Sequence, residues 1–588
     1  MKLLVKNIRG KEWFIFLLVM LSGLAQVVMD VTIPDFMARL TDILQSDRVV
    51  LGDVIREGSL MLLFAFLSLI IGLAGAYGVA VIAGLISMRI REQIFGKILD
   101  FSLAEVSDFG TASLITRCTN DVTQIQNVVV VVLIVAFKAP LSAVLAFGKI
   151  VGKNMIWTIT MGVIMLFIMI VSLLVLRHIM PLMVRQQYET DDLTRFDGEH
   201  LRGIQVIQAF NSKRFHSARF QAANDRLNDT VKRSGYSFTF LSAFSNSMMN
   251  FFNLSVYITG AFIIMNSSPA EKTGLFSDLV TFSAYALIVM AAFVSLVQAY
   301  LSIAKAMASE RRISEVLNAE VSIRDGAGNA SGEETDSVLS FRNVSFSYPG
   351  ASKTMLKDIS FEAKKGETVA IIGATGSGKT TLLNLIPRLF DVSGGKILLN
   401  GKDIRDYTLF ELRNRIGYIP QKSILFTGTI AENIDYGENG KLAAAIDDIR
   451  RAAGTGMADG FIREKEEGYS YRVSEGGRNF SGGQRQRLAI SRAVCRDPEV
   501  YLFDDSFSAL DFKTDREVRS KLRKEAKDAV MLIVAQRIGT IKNADRIIVL
   551  DKGSIAAQGR HAELMKSCGI YREIAATQLS EEEMKAYA

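Results

Sequence analysis

Six runs of about twenty residues, nearly free of charge, recur before residue 306, and no other feature constrains the fold as strongly. A bilayer core about 30 Å thick needs roughly 20 apolar residues in a helix, because the backbone must satisfy its own hydrogen bonds there. The runs predict spans near 13–34, 58–83, 125–148, 155–177, 240–266 and 278–303. Met155 to Leu176 carries no charge, whereas Gly58 to Met88 exceeds what a bilayer requires, so the second helix is expected to continue into the cytosol. Lys2, Lys6, Arg9 and Lys11 precede the first run as in a signal peptide. No small-residue cleavage site follows and the run is long enough to span, so it is expected to be retained.

Basic residues set the expected orientation. The N-terminus, the segment Arg89 to Lys97 and the long segment Arg177 to Arg233 are rich in Lys and Arg, which places them on the cytosolic side and, with six spans, both termini inside. Lys149 to Asn154 then forms a tight external turn. Asp30, late in the first span, and Lys138, in the middle of the third, are ionisable groups in apolar surroundings. Each costs about 2.5 to 3.5 kcal/mol at a span's centre, so each should face protein or a wet cavity. Substrate contact or a gate is one reading; an interhelix hydrogen bond or a snorkelling Lys is the other.

The chain as a whole is 22% charged, too much for a protein that is membrane throughout, so a second, unlike part is expected. Its net charge of +7 is spread over scattered Lys and Arg without a basic block or aromatic interleaving, which argues against nucleic acid as a partner and for a solvated or membrane-facing surface. Cys118, Cys495 and Cys568 lie far apart and lack metal-type spacing, so neither a disulfide framework nor a zinc site is expected. Between Asn318 and Ser337 the sequence turns small and polar, with Gly326, Gly328, Gly332, Glu333, Glu334 and Asp336, and reads as a linker. Beyond it, β-branched and aromatic runs alternate with helical stretches, as in Glu367 to Ile372 followed by Lys379 to Leu389. The expected fold is an all-α six-helix transmembrane domain over residues 1–317, a linker over 318–337 and an α/β domain over 338–588.

Gly373, Ala374, Thr375, Gly376, Ser377, Gly378, Lys379 and Thr380 fit the whole P-loop pattern, set between a strand and a helix, with Thr381 next along. Glycines let the backbone wrap phosphates, Lys379 reaches the β and γ phosphates, and Thr380 offers a hydroxyl to Mg²⁺; ATP and Mg²⁺ are the implied ligands. The apolar strand Val500 to Phe503 ends in Asp504, the acidic residue that completes such a metal site. Tyr348 is a candidate for stacking on adenine, and Gln421, after Ile419-Pro, for approaching the metal and the attacking water.

The stretch Asn479-Phe-Ser481-Gly482-Gly483-Gln484-Arg485 resembles the signature of ABC transporters, and the P-loop, Gln421, this signature, Asp504 and Ser508-Ala-Leu-Asp511 follow in that family's order. Residues near 105–122, with Arg117-Cys-Thr119-Asn-Asp121, and near 200–215, with Gly203 to Phe210, look like the coupling segments of its exporter subfamily. The resemblance covers essentially the whole chain and implies a half-transporter that works as a dimer. Each ATP is then held between one chain's P-loop and Ser481, Gly482, Gly483 and Gln484 of the other.

Two residues depart from the family. Active members carry Glu after the strand-end Asp and His after the next strand; here these are Asp505 and Gln536. Asp505 sets its carboxylate back by one methylene, about 1.5 Å, a misplacement worth on the order of 10²-fold in rate. Gln536 can hydrogen-bond but cannot take up a proton's charge. Both changes fall on the site built on this chain's own P-loop, while the signature it lends outward is intact, so a heterodimer with a second half-transporter is expected; a homodimer with normal turnover is the other reading. The resemblance implies export of amphipathic drugs, lipids or peptides from a bacterial inner membrane. An ATP-gated channel or regulator, and an importer on the exporter fold as in some siderophore uptake systems, remain open. No peptidase-like domain precedes the first span, so an exporter that clips its cargo is not expected.

Overall fold

The computed structural model describes residues 7, 9–46, 49–151, 153–328, 337–440 and 442–579, which pack as two units. One unit joins Met1–Ile98 to Ala112–Ala319; the other joins Leu99–Thr111 to Glu320–Ala588.

The first unit holds six helices long and apolar enough to cross a membrane: Gly10–Leu44, Leu51–Leu99, Thr111–Ile150, Met155–Arg202, Lys213–Met265 and a sixth, Pro269–Asn318, whose apolar stretch is Glu271–Tyr300. Each contains one of the expected spans, the fifth to within one residue, and the second does run far past the length a bilayer needs. The tight turn after the third helix is present, since that helix ends at Ile150 and the next is capped by Asn154, whose side chain accepts from the N–H groups of Ile156 and Trp157. Large side chains interlock the bundle. Trp157, Phe252, Phe282 and Tyr285 are fully buried, with the Trp157 and Phe282 rings 5.4 Å apart.

The third helix is not a regular α-helix. It carries one π turn over Arg117–Asp121 and another over Val132–Ala136. The first falls in the expected coupling segment, where Asp121, without solvent exposure, accepts from the Ser309 hydroxyl at 2.9 Å and pairs with Arg312 at 2.5 Å. The short helix Leu103–Phe109 belongs to the other unit: the Ser102 and Ser322 hydroxyls lie 3.1 Å apart, and the Ser322 N–H donates to Glu105.

The second unit is built on two sheets. An antiparallel sheet runs β2-β1-β4-β5, from β1 (Ser337–Phe346), β2 (Leu356–Lys364), β4 (Gly394–Leu399) and β5 (Lys402–Asp403). A six-stranded sheet runs β12-β11-β3-β10-β9-β6, from β3 (Thr368–Ile372), β6 (Ile416–Ile419), β9 (Val500–Asp504), β10 (Val530–Val534), β11 (Arg546–Asp551) and β12 (Ser554–Gly559). A two-stranded ribbon pairs β7 (Gly428–Thr429) with β8 (Arg472–Val473). In the larger sheet only β12 runs antiparallel, and β3, β9 and β10 are buried along their whole length, which is why they read as unbroken apolar runs.

Two local expectations change. The helix after β3 covers Lys379–Leu385 and stops short of Leu389: its C-cap Ile386 still has helical backbone, but Pro387 follows and has no N–H to continue the helical ladder. The middle of the polar stretch after Asn318 is docked: Asp325 accepts from the Leu409 N–H at 2.6 Å, and the N–H groups of Gly326 and Gly328 donate to Tyr407 and Asp406 carbonyls at 3.0 Å. Gly332, Glu333, Glu334 and Asp336 lie outside the described residues.

Candidate functional site

The larger sheet converges four distant stretches of chain at one edge. β6, β9, β10 and β3 are adjacent and parallel, with Ile419 opposite Phe503, Asp504 opposite Val534, and Val534 opposite Ile371. The segments leaving their carboxyl ends therefore meet, as ligand sites do in open α/β sheets. They carry Gln421, Asp504 with Asp505, Gln536, and the loop Gly373–Gly378.

That loop is shaped to hold an anion. Gly376 and Gly378 adopt φ of +81° and +100°, and a Cβ on Gly378 would approach Leu356 Cδ2 to 2.7 Å, so the turn requires glycine there. Lys379 folds back over the loop and donates to the Gly373 and Ala374 carbonyls, each at 2.8 Å. Ser377 is buried with a hydroxyl that has no protein partner. Burial lowers the Lys379 pKa, against the attraction of Asp505 and Asp504. An ammonium resting on carbonyls beside a loop of backbone donors and an orphan hydroxyl fits a polyphosphate.

The metal-type pair is in place. Thr380 Oγ1 donates to Asp504 Oδ1 at 3.0 Å. Burial raises the Asp504 carboxyl above its usual range, with the Asp505 charge adding to it and Thr380 and Lys379 opposing. A buried carboxylate of this kind has its charge relieved by a cation, which fits Mg²⁺ held between Thr380 and Asp504. The Gln421 amide donates to the next residue, Asp505, on Oδ2 at 3.5 Å. A folded-state pKa above the unfolded one means the native chain binds protons more tightly, so stability declines as pH rises through the window between the two values. Asp504→Asn is therefore expected to raise the thermal midpoint of the nucleotide-free chain at neutral pH while weakening Mg²⁺-dependent nucleotide binding. Scanning fluorimetry with and without ATP and Mg²⁺ reads both.

Asp505 holds the centre. It is 9% exposed, sits at φ +48°, a region Asp tolerates better than most residues, and receives the Gln536 amide on Oδ2 at 3.1 Å, the same oxygen that faces Gln421. Burial raises its pKa; hydrogen bonds from the Gln536 backbone N–H and from the Ser508 and Gln421 side chains, with the charge of Lys379, oppose this. Two amides thus clamp one carboxylate oxygen. Tyr348 packs edge-on against Phe346 and Phe390, with its hydroxyl 2.8 Å from Thr381 Oγ1, which sets its ring beside the phosphate loop.

The signature-like stretch opens the helix Gly482–Cys495. Ser481 is the N-cap: Gln484 N–H donates to its hydroxyl at 3.2 Å, and the Gln484 side chain accepts from the Ser481 N–H at 2.9 Å. Ser481 and Gly482 are exposed and Gly483 is half-buried. The Ser481 hydroxyl still has a proton to donate and the first N–H groups of a helix lack intrahelical acceptors, so this helix start can receive an anion.

Residues 13–293 match the model of the ABC transporter transmembrane region, and residues 356–508 that of the ABC transporter domain. The chain belongs to the ABC transporters. It is 34% identical over 585 residues to an uncharacterized ABC transporter ATP-binding protein of Mycobacterium tuberculosis, covering 98% of each chain. It is 31% identical to the ATP-dependent lipid A-core flippase of Pseudomonas aeruginosa, covering 84% of this chain and 80% of the flippase. Its fold is similar to that of a bacterial Atm1-family ABC exporter with ATP bound, with a TM-score of 0.81 and 23% identity over 97% of this chain and 98% of the other. The chain is thus a multi-pass membrane protein with the exporter half-transporter arrangement, a six-helix region fused to an ABC domain of the kind that couples ATP hydrolysis to transport.

Sequence reasoning missed the contacts that tie the ABC site together. Ser506 donates to the Ile419 carbonyl at 2.8 Å, pinning the Gln421 segment to the Asp505 turn, and Ser423 donates to Gln486 at 2.6 Å, pinning it to the signature helix. A Ser directly after two strand-end acids was the only available cue. Asp30 and Lys138 both find protein partners on neighbouring helices: Ser68 donates to Asp30 at 2.5 Å, and Lys138 donates to Gln26.

Proposed function

We propose that this chain is one subunit of an ATP-driven exporter of amphipathic substrates, working by alternating access as a heterodimer in a bacterial inner membrane with both termini in the cytosol. Its own P-loop site binds ATP and hydrolyses it slowly, and its signature completes the active site of a second half-transporter. The observation that carries this reading is the state of Asp505: one methylene short of the usual carboxylate, with one oxygen clamped by the amides of Gln421 and Gln536. A carboxylate in that position polarises water poorly, and an amide at 536 offers no protonated ring to the γ-phosphate.

ATP bound with Mg²⁺ supplies the phosphoryl group and the countercharge. Lys379 exchanges the Gly373 and Ala374 carbonyls for phosphate oxygens, Ser377 and the loop N–H groups bind and orient the chain of phosphates, and Thr380 with Asp504 holds the metal. Ser481, with the N–H groups of Gly482 and Gly483, donates to the γ-phosphate held by the partner. ATP thereby joins the two ABC domains, and hydrolysis at the partner's site releases them.

ATPase activity of the purified chain in lipid, alone and with its partner half-transporter, tests the reading. The chain alone is expected to turn over at about one-hundredth the rate of the pair, and mutation of the partner's catalytic Glu to Gln is expected to abolish turnover of the pair. Vigorous hydrolysis by the lone chain, lost in Asp505→Ala, means a homodimer instead.

A further inference from the structure

Between the first three spanning helices lies a cavity of about 280 Å³, at the small end for ligand sites, in which Lys138 is the sole charged lining residue. Its ammonium donates to the Gln26 side-chain oxygen, and among the described residues no carboxylate forms an ion pair with it. Asp30 lies one turn beyond Gln26 and attracts Lys138, but its Oδ1 is taken by the Ser68 hydroxyl. An ammonium has three donors, and a cation in apolar surroundings without a paired anion is costly.

Backbone features make the room. A Cβ on Gly72 would come within 2.8 Å of Gln26 Nε2, and one on Gly23 within 3.4 Å of Lys138 Cε, so both glycines clear the ground around this pair. The π turn Val132–Ala136 ends two residues before Lys138 and contributes Leu133 and Ile134 to the cavity wall. Such turns insert a residue into the helix and re-aim the side chains around it. Leu69 and Leu73, also on the wall, are 57% and 64% exposed, so the cavity opens onto an apolar surface.

We propose that this cavity binds the acid group of an anionic amphiphile, a phosphate or carboxylate on Lys138, with the apolar tail lying along Leu69 and Leu73. The inference rests on the reading of the chain as an exporter of amphipathic substrates and names the substrate class. The anion supplies the direct ion-pair partner that Lys138 lacks, and an ammonium binds it as a point charge.

The full chain in phosphatidylcholine nanodiscs with increasing phosphatidylglycerol, extracted into detergent and weighed by native mass spectrometry, should retain phosphatidylglycerol in preference to phosphatidylcholine. Lys138→Met, which removes a charge from the span and so does not hinder insertion, should weaken that retention about tenfold, and Lys138→Arg should keep it. Gly72→Leu, which fills the cavity and leaves the charge, should weaken it as well. Undiminished retention in Lys138→Met overturns the site. A second arm follows ATP-dependent movement of fluorescent phosphatidylglycerol by the assembled transporter in vesicles. Movement lost in Lys138→Met marks the anion as cargo. Retention that depends on Lys138 without any movement supports the site, makes the lipid a resident headgroup and counts against the export reading. Movement indifferent to Lys138→Met overturns the assignment of the bound anion as cargo and leaves export standing.

Discussion

Gly482→Asp in the signature should reduce ATP turnover of the assembled transporter by about 10²-fold or more, while Asp505→Asn in the same chain should change it by less than about threefold. The contrast is large because the proposed arrangement assigns the two residues to different sites. Gly482 is exposed, and a Cβ placed on it meets nothing within 4 Å, so the chain itself accommodates the side chain. A carboxylate in the first turn of the helix Gly482–Cys495 also suits the helix dipole, so thermal stability should not fall. In the proposed heterodimer it meets the γ-phosphate held by the partner, where it would replace donors with a like charge in a water-poor interface. Losing one such donor costs 10² to 10³ in rate in well-studied cases, and repulsion adds to that. Steady-state ATPase of the pair, with a thermal melt of each variant, separates loss of contact from loss of fold. Equal loss in Asp505→Asn would mean that this chain's own site carries turnover.

Asp505→Glu combined with Gln536→His should raise hydrolysis at this chain's own P-loop by about 10²-fold. The longer acid moves the carboxylate forward by the missing methylene, and the imidazole replaces an amide that occupies Asp505 Oδ2 at 3.1 Å. A stability cost accompanies the gain. Asp505 sits at φ +48°, which Asp accepts through its short polar side chain, so Glu there should cost about 1 kcal/mol. Single-turnover hydrolysis of labelled ATP, in an assembly whose other site is silenced by Gly482→Asp, isolates the affected site. An unchanged rate would place the defect elsewhere than in these two side chains.

Much of the site was legible because its chemistry is written in contiguous residues. Gly373 to Thr380 and Ser481 to Gln484 each form a local structure, a phosphate-wrapping loop and a capped helix start, whose geometry follows from glycine freedom and N-cap hydrogen bonding. Asp504 was legible because it ends an apolar strand. The clamp on Asp505 was not: Gln421, Asp505 and Gln536 are separated by long stretches, and only the strand order β6-β9-β10 sets their side chains around one oxygen. The same holds in the bundle. Lys138 was conspicuous in its apolar run, but Gln26 as its partner and the room left by Gly72 depend on three helices packing side by side.

The sequence by itself determined the six spans, the α/β character of the second unit, the phosphate loop and the two departures at 505 and 536, because each is a property of hydrophobic period or local backbone chemistry. Tertiary structure alone decided the two π turns in the third helix, the docking of Asp325 and Gly326 after the last span, and the sharing of Asp505 Oδ2 by two amides. The physical reason is range: local preferences act over a few residues, whereas strand register and helix packing balance burial across the whole unit and fix which distant polar groups must satisfy one another.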